Sequence, residues 1–173
     1  MLKINLPWVE SPFFAQILET KRLSATQKAM AQAYHDNGFL HLPNLIPGDL
    51  IDQVKYDVET KAFNEQFDVT VQRDGTRIQD FWKYSEPTQK LASFQPVQEL
   101  LELFYEREAI PFQTLNFCVG SQQRAHSDSI HFSSLPARYM CGVWVALEDV
   151  TIDNGPLFYY PGSHKMPEYN FSQ

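Results

Sequence analysis

Three residues with metal-ligating or acid–base side chains lie close together in the stretch QQRAHSDSIHF (122–132): His126, Asp128 and His131. In an extended chain, residues i and i+2 point to the same side, so the His126 imidazole and the Asp128 carboxylate can reach one cation. A borderline metal such as Fe(II) accepts one nitrogen and one oxygen ligand. A second histidine would complete a facial triad with positions left open for other ligands. His131 stands three residues beyond Asp128 and leaves that direction if the strand continues. Hydrogen bonding behind the ligands or substrate contact suits it, and so does a plain surface position. The pattern alone carries little weight, because five His and ten Asp in 173 residues give about 0.3 His-x-Asp pairs by chance. A loop histidine beside a capping aspartate explains it equally well.

The elements around this stretch change character along the chain. Ser24 with Gln27 three residues later is a capping-box pattern, Met30, Ala33 and Tyr34 repeat at helical spacing, and Asn37-Gly38 supplies a left-handed stop. A short extended piece, FLHL, follows. Leu50, Ile51, Val54 and Val58 form a second apolar stripe. A third helix is expected in QPVQELLELFYERE, with Pro96 in its first turn and Val97, Leu100, Leu101 and Phe104 facing inward. Between the last two, Asp74-Gly75 flanked by alternating residues signals a hairpin.

After Pro111 the period becomes two. Leu115, Phe117 and Val119 share one face, with Thr114, Asn116 and Cys118 on the other. Val143, Val145 and Leu147 likewise alternate with Gly142, Trp144 and Ala146, and NGPLFYYPGSHK is bounded by Gly-containing turns. A helical front end (about 1–110) followed by short strands (about 111–173) predicts one mainly β domain with N-terminal helices, a jelly roll or barrel.

Composition bounds the function. The formal charge of −7 and the scattered arginines and lysines argue against nucleic acid or an anionic membrane as partner. No apolar run approaches the ~18 residues of a membrane span. The N-terminal residues show no secretory signal. Cys118 and Cys141 sit in apolar segments and are expected to be buried free thiols, and together these features favour a reducing, cytoplasmic location.

Three pieces in order give the sequence a family resemblance. HDNGFLHLPNLIPGDLIDQV, NFCVGSQQRAHSDSIHF, and GVWVALEDVTIDNGPLFYYPGSHK with its N-G-P-L and P-G-S-H-K turns resemble the phytanoyl-CoA dioxygenase family of Fe(II)/2-oxoglutarate oxygenases. The 16-residue spacing from Asp128 to Trp144 also suits that family. The resemblance implies a double-stranded β-helix (jelly roll), incomplete at its C-terminal end. It implies a hydroxylase of small molecules that uses Fe(II) as cofactor and 2-oxoglutarate as cosubstrate. It assigns His126 and Asp128 as catalytic iron ligands, and places Asn116, with Thr114 on the same strand face, against 2-oxoglutarate. Trp144 falls where the family sets an aromatic beside the metal pocket, a core aromatic being the alternative. Gln122, Gln123 and Ser127, with His131, are candidate substrate or cosubstrate contacts. The carboxylate of Asp128 favours hydroxylation over halogenation, since halogenating relatives lack it.

The sequence ends before the distal histidine and the 2-oxoglutarate-binding arginine that the family carries. His164 lies 38 residues after His126, but in the family the P-G-S-H-K turn is structural. The expectation is a fragment of a longer oxygenase; a short form completed across an oligomer and a non-catalytic binding domain are alternatives. A cupin-like enzyme of another divalent metal is a further one. Exposed strand edges would then favour self-association.

Overall fold

The computed structural model describes residues 5–61, 70–71, 77–117, 123–128 and 134–167. Five α-helices lead: α1 (Phe14–Thr20), α2 (Ala25–Asn37), α3 (Gly48–Lys61), α4 (Glu86–Ala92) and α5 (Gln95–Tyr105). Three short strands, β1 (Thr70–Val71), β2 (Arg77–Gln79) and β3 (Leu115–Phe117), form one antiparallel sheet in the order β1-β2-β3. Single 3₁₀ turns stand at Trp8–Glu10, Phe81–Lys83 and Ser163–Lys165.

Local chemistry accounts for the helix ends. The Ser24 hydroxyl accepts from the Gln27 amide while the Gln27 side chain accepts from the Ser24 amide, so two otherwise unpaired donors at the start of α2 are satisfied together. Gly38 closes α2 at φ 82°, and its amide donates to Tyr34 O. The stripe on α3 turns Val54 fully inward, and Pro96 lies in the first turn of α5, which buries Phe104 and Tyr105. The helix α4 has a signal of its own in Ser85, which caps Thr88, with Pro87 in the first turn.

Two apolar clusters hold these elements. The larger joins Trp8, Val9, Phe14, Ala31, Phe104 and Tyr105, with Tyr139 and Cys141 packed against it. Trp8 Nε1 donates to Leu103 O at 2.7 Å, and Phe14 stacks on His35 with ring centroids 4.0 Å apart. The smaller joins Ile78 and Phe81 with Val58 and Tyr84, tying β2 to the α3–α4 side.

The expected mainly β jelly roll is overturned. The described residues are predominantly helical where structure is regular, and their only ladders are the three short strands. The segments 139–148 and 155–160, whose alternation predicts strands, have no ladder partner among the described residues. Alternating side chains mark a surface suited to a sheet, but a strand exists only where its N–H and C=O groups meet a neighbour. Val143, Trp144 and Phe158 accordingly stand exposed. The piece FLHL is also not a strand: Phe39 instead stacks on Tyr159, centroids 4.8 Å apart. The antiparallel pairing of β1 with β2 agrees with a hairpin, while its Asp74-Gly75 turn lies outside the described residues.

Candidate functional site

The structure brings His126 and Asp128 together, with His126 Nε2 at 3.4 Å from Asp128 Oδ1. The other ring nitrogen, Nδ1, lies 2.6 Å from Arg124 O. A carbonyl can only accept, so Nδ1 carries the proton and a neutral ring turns its Nε2 lone pair toward the carboxylate. A backbone carbonyl that fixes the tautomer behind the ligating nitrogen is the arrangement metal-bound histidines use. Two donors on adjacent positions of a six-coordinate ion with bonds near 2.1 Å stand about 3 Å apart. The pair therefore fits two neighbouring positions of such an ion with a shift of a few tenths of an ångström. With the ring protonated, the same geometry is an ion pair.

Asp128 is exposed, and the chain that passes it is thin. A Cβ built at Gly142 would lie 3.7 Å from Asp128 Oδ2, so the backbone leading to Trp144 runs beside the carboxylate. Trp144 is half exposed and is not part of either apolar cluster. Ser127, between the pair, is exposed, as is Gln123.

Asn116 occupies the middle of β3, opposite Ile78, and its Oδ1 is buried with no hydrogen-bond partner among the described residues. A buried amide left unpaired is a polar group awaiting a partner, and the amide turned over would present a donor instead. Thr114 precedes the strand: its Oγ1 accepts from Trp82 N at 3.4 Å and its carbonyl from Asp80 N at 2.8 Å. That hydroxyl is thus engaged with the turn at 81–83. Gln122, His131 and Cys118 lie outside the described residues.

The remaining candidates have other partners. Arg138 pairs with Glu10, Nε to Oε2 at 2.9 Å, and also donates to His164 O. His164 donates through Nε2 to His35 O at 3.0 Å, so that nitrogen is committed to the end of α2. Cys141 is a free thiol, half-buried beside Tyr34 and Tyr105, whose hydroxyls lie 2.9 Å apart. Burial pushes the Cys141 thiol and both phenols upward, so all three hold their protons at neutral pH. Among the described residues no group of three His, Cys, Asp or Glu side chains converges on a point, and no helix is long and apolar enough to cross a membrane.

Comparison with known proteins agrees with the order of the motifs. The family profile described as phytanoyl-CoA dioxygenase (PhyH) matches residues 34–172. The chain is 24% identical over 157 residues to a phytanoyl-CoA dioxygenase domain-containing protein 1 homolog of Caenorhabditis briggsae, covering 87% of this chain and 54% of that protein. It is 25% identical over 177 residues to the peroxisomal phytanoyl-CoA dioxygenase of Rattus norvegicus, covering 89% and 51%. A shorter match of 46 residues, 41% identical, is to phytanoyl-CoA dioxygenase domain-containing protein 1 of Danio rerio, covering 27% and 16%. The chain spans about half the length of the first two relatives. No solved structure matches.

Proposed function

Because the chain belongs to the phytanoyl-CoA dioxygenase family, we propose that it carries the ligand-bearing part of a non-haem Fe(II)/2-oxoglutarate-dependent hydroxylase acting on a small molecule. The observation that supports this reading is the His126–Asp128 pair, with Nδ1 of the ring held by Arg124 O and Nε2 turned to the carboxylate. The chemistry supplied by ferrous iron with 2-oxoglutarate is decarboxylation of the cosubstrate coupled to hydroxylation of a carbon–hydrogen bond. In the chain itself, the Arg124 carbonyl keeps the proton on Nδ1, so that His126 binds through Nε2. Asp128 adds one negative charge, which offsets half the charge of a divalent ion. With its amide turned over, Asn116 would offer an N–H from the buried position of the unpaired Oδ1 to a polar cosubstrate, and Ser127, with Gln122 and His131, would contact a substrate. A cytoplasmic setting and association with a second copy belong to the same proposal. The exposed apolar side chains of 143–160 support the latter.

A second reading has its own observation. Arg138 is committed to Glu10 and His164, so it does not serve as a carboxylate clamp, and this favours a domain that binds without turning its ligand over. Incubation in air with Fe(II) and 2-oxoglutarate separates the two. Iron-dependent succinate, lost in His126→Ala, supports the hydroxylase, whereas none formed with or without small-metabolite substrates supports the binding domain.

A further inference from the structure

Two short motifs far apart in sequence meet in space. The turn 161–165 (PGSHK) docks onto the C-terminal end of α2 (HDNG, 35–38). Gly162 N donates to Asn37 O at 2.9 Å and His164 Nε2 donates to His35 O at 3.0 Å. Both carbonyls belong to the last turn of α2, where helical partners run out. The imidazole lies against Gly38, so close that a Cβ there would overlap His164 Nδ1. Gly38 thus serves twice: its φ of 82° stops the helix, and its missing side chain makes the notch that holds the ring. Around it, Arg138 donates to His164 O while paired with Glu10, Lys165 faces Asp36 at 4.0 Å, and Tyr159 stacks on Phe39.

We propose that His164 is a positioning residue for the candidate iron site, a staple that holds the 139–165 segment against α2 and so fixes where Gly142 passes Asp128. The proposal rests on the His126–Asp128 reading for its functional meaning, but the staple itself is independent of metal. Residues 139–160 have no ladder to place them among the described residues, so the anchors at their two ends set their course. At one end Tyr139 and Cys141 pack on the larger core cluster, and at the other His164 sits in the Gly38 notch.

The ring's surroundings give the staple a signature that a bulky spacer would lack. Its Nε2 must carry the proton to donate to His35 O, leaving Nδ1 bare, buried and without a hydrogen-bond partner among the described residues. A second proton would fall on that nitrogen, beside Gly38 and within the field of Arg138 and Lys165. The facing His35 ring is itself engaged, with Nδ1 donating to Val9 O at 2.6 Å, and the Asp36 and Glu10 carboxylates face Lys165 and Arg138. Burial first, then those cations, hold the His164 basicity below its ordinary 6.5, against the opposing effect of the His35 hydrogen bond. The staple is therefore closed at neutral pH and loosens in acid.

Amide hydrogen exchange on the whole chain tests it, read at Gly162, Ser163, Lys165 and Met166 between pH 5 and 8, with the intrinsic pH dependence of exchange removed. The wild type should lose protection as the pH falls below about 6.5. His164→Gln keeps a donor at the Nε2 position but cannot titrate, so it should keep the protection and lose the pH step. His164→Ala should lose about tenfold protection at neutral pH at Gly162 and the following turn amides, with α5 unchanged. A pH step that persists in His164→Gln, or protection unchanged in His164→Ala, would overturn the staple. The iron-site role is read separately by Co(II) titration: weaker binding in His164→Ala restored in His164→Gln supports it. Equal binding in all three proteins refutes positioning, and absence of Co(II) binding in the wild type refutes the underlying metal-site reading while leaving the exchange result standing.

Discussion

His126 and His164 show how one side chain type takes opposite tasks through the choice of nitrogen. His126 donates from Nδ1 to the backbone two residues earlier, and Nε2 faces outward to Asp128. His164 donates from Nε2 to a helix end 129 residues away, and Nδ1 is pressed against a glycine. The tautomer of the first leaves a lone pair at Nε2, and that of the second spends its donor on the fold. Gly38 is the point at which this can be tested on stability. Gly38→Ala adds a methyl where φ is positive and where the His164 ring already sits, so it should cost on the order of 2 kcal/mol, read as a lower urea midpoint with unchanged slope. The His164 basicity supplies a second check. Its folded value lies below 6.5, so between the folded and unfolded values the unfolded chain holds more protons. Stability therefore falls as pH drops through that interval and levels off beneath it, and His164→Gln should remove this part of the acid loss in urea titrations.

At the scale of elements, what the residues announce is what local chemistry alone decides. Ser24 and Gln27, Asn37-Gly38 and Pro96 each act within one turn of chain, and α2 and α5 begin or end where those signals stand. Ser24→Ala removes one of the two reciprocal cap bonds of α2 and should cost about 1 kcal/mol, checked by urea unfolding and by faster exchange of the Gln27 amide. The helix α4 carries a cap of the same kind in Ser85 and Pro87, but its apolar stripe is too short for the periodicity to predict it. The strands are a different matter. Leu115–Phe117 pairs because Arg77–Gln79 lies alongside, with Asn116 opposite Ile78. The same alternation at 142–147 meets no neighbour among the described residues, and no side-chain pattern carries the identity of a partner strand. The candidate site follows the same division: the His-x-Asp proximity was readable from spacing, the Arg124 carbonyl behind His126 is a local contact set by the backbone path, and the approach of Gly142 to Asp128 is a tertiary fact.

Over the molecule as a whole, apolar surface is distributed unevenly. The N-terminal helices enclose Trp8, Val9, Phe14 and Phe104, all at most 5% exposed. Residues 143–160 instead present Trp144 at 49%, Ile152 at 76% and Phe158 at 76%. Neighbouring exposed apolar groups of this size are surfaces that associate. Under the proposed function, light scattering on eluting protein should show mass rising with concentration, and the pair Ile152→Ser with Phe158→Ser should return it toward one chain. A mass independent of both would count against self-association. The chain belongs to the phytanoyl-CoA dioxygenase family and spans about half the length of the rat relative. The claim on which the rest depends is smaller: that His126 and Asp128 together hold a ferrous ion. Anaerobic titration with Fe(II) in the presence of 2-oxoglutarate reads it directly, because chelation of the keto acid to iron gives a weak visible charge-transfer band. The account predicts that band in the wild type and its loss in Asp128→Ala. No band in the wild type, or an unchanged band in Asp128→Ala, would contradict it.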